Sequence, residues 1–159
     1  VRLVRCLDEL ALCARPPWEA AVAFELGFLE EHGICPALES CASCGGPAPP
    51  PVPSEERACF SASCGGRMCL ACSDEARDAG RRVGTMPLDV LDAASQLLRG
   101  APQGERIIPL ATPLLVRLKD FVERFLDHHL EVRAKARGEF LAANDRNSRA
   151  AMRTGPISG

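Results

Sequence analysis

Cys41-Ala42-Ser43-Cys44-Gly45-Gly46 and Gly65-Gly66-Arg67-Met68-Cys69-Leu70-Ala71-Cys72 are the stretches on which the reading of this chain turns. Each holds a Cys-x-x-Cys pair, and 24 residues lie between Cys44 and Cys69. Two residues between cysteines let a tight knuckle aim both thiolates at one ion, and two knuckles complete a tetrahedron with Zn–S near ~2.3 Å. Gly45 after the first pair and Gly65-Gly66 before the second supply the permissive backbone such knuckles need. Four thiolates leave no open position for water, so the expected occupant is one structural Zn²⁺ held by Cys41, Cys44, Cys69 and Cys72, not a catalytic ion. The separation exceeds the roughly 15–20 residues of common zinc ribbons. A Pro-rich loop from Gly45 to Pro53 absorbs the difference, because closure entropy grows only logarithmically with length. Two other readings stay in view: a redox pair, which would want a βαβ setting the sequence lacks, and a set of merely buried thiols. Cys59 and Cys64 have no two-residue partner and read as bystanders, while Cys6, Cys13 and Cys35 read as small core residues.

The rest of the composition suits such a site. Nine cysteines would suggest a disulfide scaffold in a short secreted chain, but nine is odd and four of them form the two pairs. No basic-then-apolar leader opens the chain and no apolar run nears the ~20 residues of a membrane span, so the expected setting is cytoplasmic and reducing, with no membrane partner. The chain opens on Val1 in what reads as mid-domain sequence, as a piece of a longer protein would. A formal charge of −2 gives the whole molecule no strong pull on nucleic acid, so any such contact must come from a local patch. With six Phe, one Trp and no Tyr, a face of stacking aromatics for single-stranded bases is not expected.

Outward from the cysteines the sequence is helical. Leu3, Val4, Leu7, Leu10 and Ala11 fall at helical spacing, and Pro16-Pro17 ends that run. From Trp18 to His32 apolar residues lie almost all round, which predicts a central buried helix begun by Pro17 and stopped by Gly33. Gly27 within it suggests close packing. Pro87 to Arg99 carries Leu88, Leu91, Ala94, Leu97 and Leu98 on one side and stops at Gly100. The longest helix should begin at Thr112-Pro113 and carry Leu115, Leu118, Val122, Phe125, Leu126, His129 and Leu130. Ala58 to Ser61 is the one short strand expected. The fold class expected is therefore all-α: residues 1–34 and 85–141 form a small helical domain. Residues 35–84 form an inserted four-cysteine zinc knuckle lobe with short strands or turns, and 142–159 a disordered tail.

Other candidates are weaker. His128 and His129 do not share a helix face, so they read as packed or surface histidines and not as a second metal site. His32 reads as a favourable group at a helix C-terminus. Arg133, Lys135 and Arg137 are candidate contacts for DNA phosphates or an acidic partner, against the alternative of a solvated helix end diluted by Glu131 and Glu139. No triad order, nucleotide-binding Gly loop or paired-carboxylate pattern stands out, and nothing reads as an enzyme.

Two stretches together resemble a known family. Phe24-Glu25-Leu26-Gly27-Phe28-Leu29-Glu30-Glu31-His32-Gly33, followed by Pro36-Ala37-Leu38-Glu39-Ser40-Cys41-Ala42-Ser43-Cys44-Gly45, looks like the central region of the RecO DNA-repair proteins. The likeness continues through Phe60-Ser61, Gly65-Gly66, Cys69, Cys72 and Pro87-Leu88. It ends in Phe125-Leu126-Asp127-His128-His129-Leu130 ahead of Lys135 and Arg137, covering about residues 18 to 141. Ala136 stands where Ser is expected. The resemblance implies a recombination mediator of the RecF-pathway type: a protein that binds single- and double-stranded DNA, anneals strands, pairs with RecR, contacts single-stranded-DNA-binding protein and helps load a recombinase. It implies an N-terminal OB-fold followed by a helical domain with a zinc segment, of which these residues match only the helical and zinc part. It also implies that the helical domain receives the C-terminal tail of single-stranded-DNA-binding protein, whose carboxylates call for a basic side chain. The rival reading is a zinc-ribbon interaction module of unrelated role.

Overall fold

The computed structural model describes Val4 and residues 16–52, 56–100 and 109–130. Apart from Val4, the helix expected over the first dozen residues lies outside the described residues, as do Arg133, Lys135, Arg137 and the expected tail 142–159.

Among the described residues the chain forms α1 (Pro17–Glu31), β1 (Arg57–Ser61), a 3₁₀ turn (Ala62–Cys64), β2 (Gly66–Met68), α2 (Leu70–Asp78), β3 (Gly84–Pro87), α3 (Leu88–Arg99) and α4 (Thr112–Leu130). Pro17 opens α1 as its fixed φ favours. The helix closes in a two-bond cap around Gly33 (φ 70°): Gly33 N–H donates to the Glu30 carbonyl and Ile34 N–H to that of Leu29. His32 completes that end, its Nδ1 2.8 Å from the Phe28 carbonyl and its ring 4.0 Å from the Phe28 ring. The expectation of a helix buried on every side is corrected here. Val22, Leu26 and Leu29 are buried, but Phe28 lies on the opposite side and is exposed.

An all-α description is incomplete. The strands pair as one antiparallel sheet in the order β2-β1-β3, with Cys59 opposite both Met68 and Thr85 and Phe60 opposite both Arg67 and Gly84. β1 is central, and alternation along it serves two cores. Ala58 and Phe60 join the helical core with Val22, Leu26, Leu91, Leu118, Phe121 and others. Cys59 joins a smaller cluster with Cys41, Ala48, Met68 and Ala76. The Phe60 ring meets Phe121 edge-on, with centroids 5.4 Å apart at 82°, a favoured aromatic geometry.

Further contacts tie the smaller cluster to the helices. Glu39 accepts hydrogen bonds from Ser95 Oγ (2.7 Å) and from Arg99 of α3. Arg67 of β2 donates to the carbonyls of Ala48 (2.7 Å) and Leu38 (3.3 Å), closing the loop that carries the first cysteine pair.

Candidate metal centre and adjoining groove

The first knuckle is built by its own backbone. Gly45 N–H donates to the Cys41 carbonyl (2.8 Å), and Cys41 N–H to that of Gly46 (2.9 Å), with Gly45 at φ 72° where a side chain would strain the turn. Ala42 N–H reaches the Arg67 carbonyl (2.7 Å), so the knuckle is laced to β2. The second pair sits where β2 runs into α2: Cys69 is the N-cap residue and Cys72 lies in the first turn. This is the end of the helix that carries partial positive charge, a favourable place for anionic sulfur.

The two knuckles meet. The sulfurs of Cys41, Cys44, Cys69 and Cys72 all lie within 4.8 Å of one another, and those of Cys44 and Cys69 are 3.9 Å apart. Four ligands at ~2.3 Å around one centre require sulfur–sulfur edges of about 3.8 Å. The donor set therefore fits a tetrahedral metal, and these four cysteines could hold one.

The electrostatics of the set point the same way. Burial raises the Cys41 thiol, but backbone N–H groups of Cys69, Cys44 and Ser43 directed at its sulfur outweigh that and bring it down to about 6. Cys72 goes the other way. Its bond with Cys69, its burial and the neighbouring Cys41 sulfur push it far above the ordinary thiol value. One thiolate is favoured and the next is opposed, which is the conflict a bound dication removes.

Cys59 and Cys64 stand outside the set of four. Cys59 is buried, with Arg77 Nη2 3.9 Å from its sulfur. Burial raises the Cys64 thiol, while Ser61, Arg81 and Ser63 together bring it below the ordinary value, with Arg81 Nη1 3.7 Å from the sulfur. The rings of His128 and His129 are perpendicular, with centroids 5.0 Å apart, and join no metal-binding group among the described residues.

On the other side of β1 lies a groove of about 350 Å³ that sequence reasoning did not find. Phe60, Met86, Val90, Phe121 and Phe125 give it an apolar floor. Arg57, Arg117 and Arg124 stand at its rim, with Asp120. Arg57 is held by Thr85, its Nε 2.9 Å from Oγ1, and Arg117 by Asp89, with Nη1 3.2 Å from Oδ1. Those residues come from three separate segments, so no local spacing could have announced the groove.

A helical domain whose central strand carries a four-cysteine, metal-type lobe on one side and an arginine-rimmed groove on the other defines the class of this protein. The family described as "Recombination protein O C terminal" matches residues 2–138, and the chain belongs to that family. The chain is 37% identical over 138 residues to the DNA repair protein RecO of Anaeromyxobacter sp. (strain K), covering 85% of this chain and 49% of that protein. The DNA repair protein RecO of Anaeromyxobacter dehalogenans (strain 2CP-1 / ATCC BAA-258) is equally similar. That of Myxococcus xanthus (strain DK1622) is 34% identical over 115 residues, covering 72% of this chain and 41% of that protein. The chain thus spans about half the length of the first two relatives. No solved structure matches. Among the described residues no helix is long and apolar enough to cross a membrane.

Proposed function

We propose that this chain is the helical and zinc-binding part of a recombination mediator in DNA repair. It works by holding DNA and partner proteins together and not by turning over a substrate. In this reading Cys41, Cys44, Cys69 and Cys72 bind one structural Zn²⁺, which folds residues 35–84 as an insertion in a helical domain formed by 1–34 and 85–141. The loop-rich segment buries too little apolar surface to order itself, so metal binding supplies folding free energy. The partners are RecR and single-stranded-DNA-binding protein, with recombinase loading and strand annealing as the outcome in a bacterial cytoplasm. Arg133, Lys135 and Arg137 contribute phosphate or acidic-partner contacts.

The observation that carries this reading is the groove. An apolar floor rimmed by Arg57, Arg117 and Arg124 suits a short acidic tail ending in an apolar residue: the floor takes the side chain and guanidinium groups take the carboxylates. Among the described residues the Arg124 side chain makes no hydrogen bond or ion pair that would have to be displaced, whereas Arg117 is already paired with Asp89.

The test is fluorescence anisotropy with a labelled peptide of the C-terminal tail of single-stranded-DNA-binding protein. Arg124→Glu should weaken binding at least about tenfold, the ~1.4 kcal/mol expected when a charge-assisted contact is reversed. Equal binding by wild type and Arg124→Glu would remove the groove from the function.

A further inference from the structure

The four thiols are not equivalent. Cys41 is buried and Cys44 is exposed, with Cys69 and Cys72 between. The Cys41 sulfur is also fixed by the backbone N–H groups of Cys69, Cys44 and Ser43. Cys44 is the exposed residue of the four, and its sulfur lies 3.9 Å from that of Cys69 in the other knuckle. A disulfide between them requires closing that gap to ~2.05 Å.

From this we infer that the centre is an oxidant-sensitive latch, in which a hydroperoxide joins Cys44 to Cys69, expels the metal and loosens the floor of the groove. The inference rests on the zinc reading above and adds a regulation to it. In the first step the Cys44 thiolate attacks one oxygen of the hydroperoxide. The O–O bond breaks, alkoxide or hydroxide leaves, and Cys44 becomes a sulfenic acid. In the second step the Cys69 thiolate attacks that sulfur, the S–S bond forms, the S–O bond breaks and hydroxide leaves. Two electrons pass from sulfur to oxygen, and two solvent protons neutralise the departing oxyanions. The metal keeps its charge throughout. Cys41 and Cys72 alone are half a tetrahedral ligand set and cannot retain it.

The consequence travels through named hydrogen bonds. The first knuckle is laced to β2 at Ala42 and Arg67, β2 pairs with β1 at Cys59–Met68 and Phe60–Arg67, and Phe60 lies in the floor of the groove. Loss of the metal frees the knuckle and with it one support of that floor.

The experiment is a hydrogen peroxide titration of the full chain purified with its metal. Zinc is followed by a chromogenic chelator, disulfides by peptide mass mapping, and groove binding by anisotropy of a short acidic peptide with an apolar C-terminal residue. Expected are release of about one zinc per chain, a Cys44–Cys69 cross-link, recovery on adding reductant and zinc, and a several-fold loss of peptide affinity in the oxidised form. A cross-link within one knuckle, or release without any cross-link, overturns the assignment. Cys64→Ser should release zinc at the same peroxide dose; if it does not, attack begins at Cys64 beside Arg81 and the assignment also falls. Protein that carries no zinc at the outset overturns the metal reading and the latch together. If zinc-loaded protein fails to bind the peptide, the groove reading fails alone, and release and cross-link still decide the chemistry of the centre. Unchanged peptide affinity after oxidation overturns the coupling to the groove.

Discussion

Cys44 is the one exposed thiol of the four, so its removal leaves the least collateral damage in packing. Cys44→Ala should abolish stoichiometric zinc by mass spectrometry and loosen the lobe, while far-ultraviolet circular dichroism of the helices changes little; unchanged zinc content would refute its place as a ligand. Gly66 tests the same lobe through backbone sterics. A Cβ there would stand 2.5 Å from both the backbone nitrogen and the carbonyl oxygen of Ala37, at φ 140°. Ala37 N–H donates to the Gly65 carbonyl (2.9 Å) and the Ala37 carbonyl accepts from Arg67 N–H (2.8 Å), so the neighbour cannot yield without losing both bonds. Gly66→Ala should therefore cost more than ~2 kcal/mol in urea melts, whereas Gly80→Ala, with open space around it, should cost less. At this scale the gathering of Cys41, Cys44, Cys69 and Cys72 into a set that could hold a metal was legible, because a Cys-x-x-Cys pair is a local pattern with a local mechanism. The reason for Gly66 was not, because the atoms it must avoid lie 29 positions away in sequence.

At the scale of elements, legibility followed length. α3 and α4 repeat an apolar stripe over several turns, and Leu91, Leu115, Leu118 and Val122 are buried where the stripe puts them. β2 has three residues and β3 four, one with Gly at its start and one with Gly and Pro at its ends, too short for any alternation to register. Both exist because β1 pairs with them, a tertiary cause that the sequence does not display locally. α2 was missed because only Ser73 and Ala76 are buried, so it carries no stripe. The last turn of α4 offers a pH test. The His129 ring lies 4.3 Å from that of Phe125, and among the described residues its buried Nε2 has no hydrogen-bond partner. Burial first, and the adjacent His128 second, hold its pKa below 6.5, against a backbone hydrogen bond with Ala62. Protonation is then easier in the unfolded chain, so this contribution is complete above the unfolded value and is lost as pH falls below it. Thermal melts from about pH 7.5 to about pH 5.5 should show a fall that is shallower in His129→Phe than in wild type. Equal slopes would mean that His129 titrates alike in both states.

For the whole molecule the decisive feature is that β1 is shared. If the metal lobe and the helical core were independent, zinc would stabilise only the former. Because Cys59 faces one cluster and Ala58 and Phe60 the other, each core borrows rigidity from the same strand. Any ligand of the folded state stabilises it by mass action, about 4 kcal/mol when free zinc is a thousandfold above Kd. Chelation should accordingly lower the melting temperature of the entire chain in one transition, not only that of the knuckles. The sharper test reverses the direction. Phe60→Ala removes a ring packed against Phe121 and Phe125, a change expected to cost ~3–5 kcal/mol in the helical core. It touches no sulfur, yet coupling through β1 predicts that it also weakens zinc binding. By reciprocity, the free energy by which zinc binding is weakened equals the amount by which zinc's stabilisation of the fold is reduced. A tenfold rise in zinc Kd for Phe60→Ala corresponds to ~1.4 kcal/mol of coupling. Competition titrations against a chromogenic chelator measure it directly, and a Kd unchanged within experimental scatter would mean that the lobe folds around its metal without help from the helices.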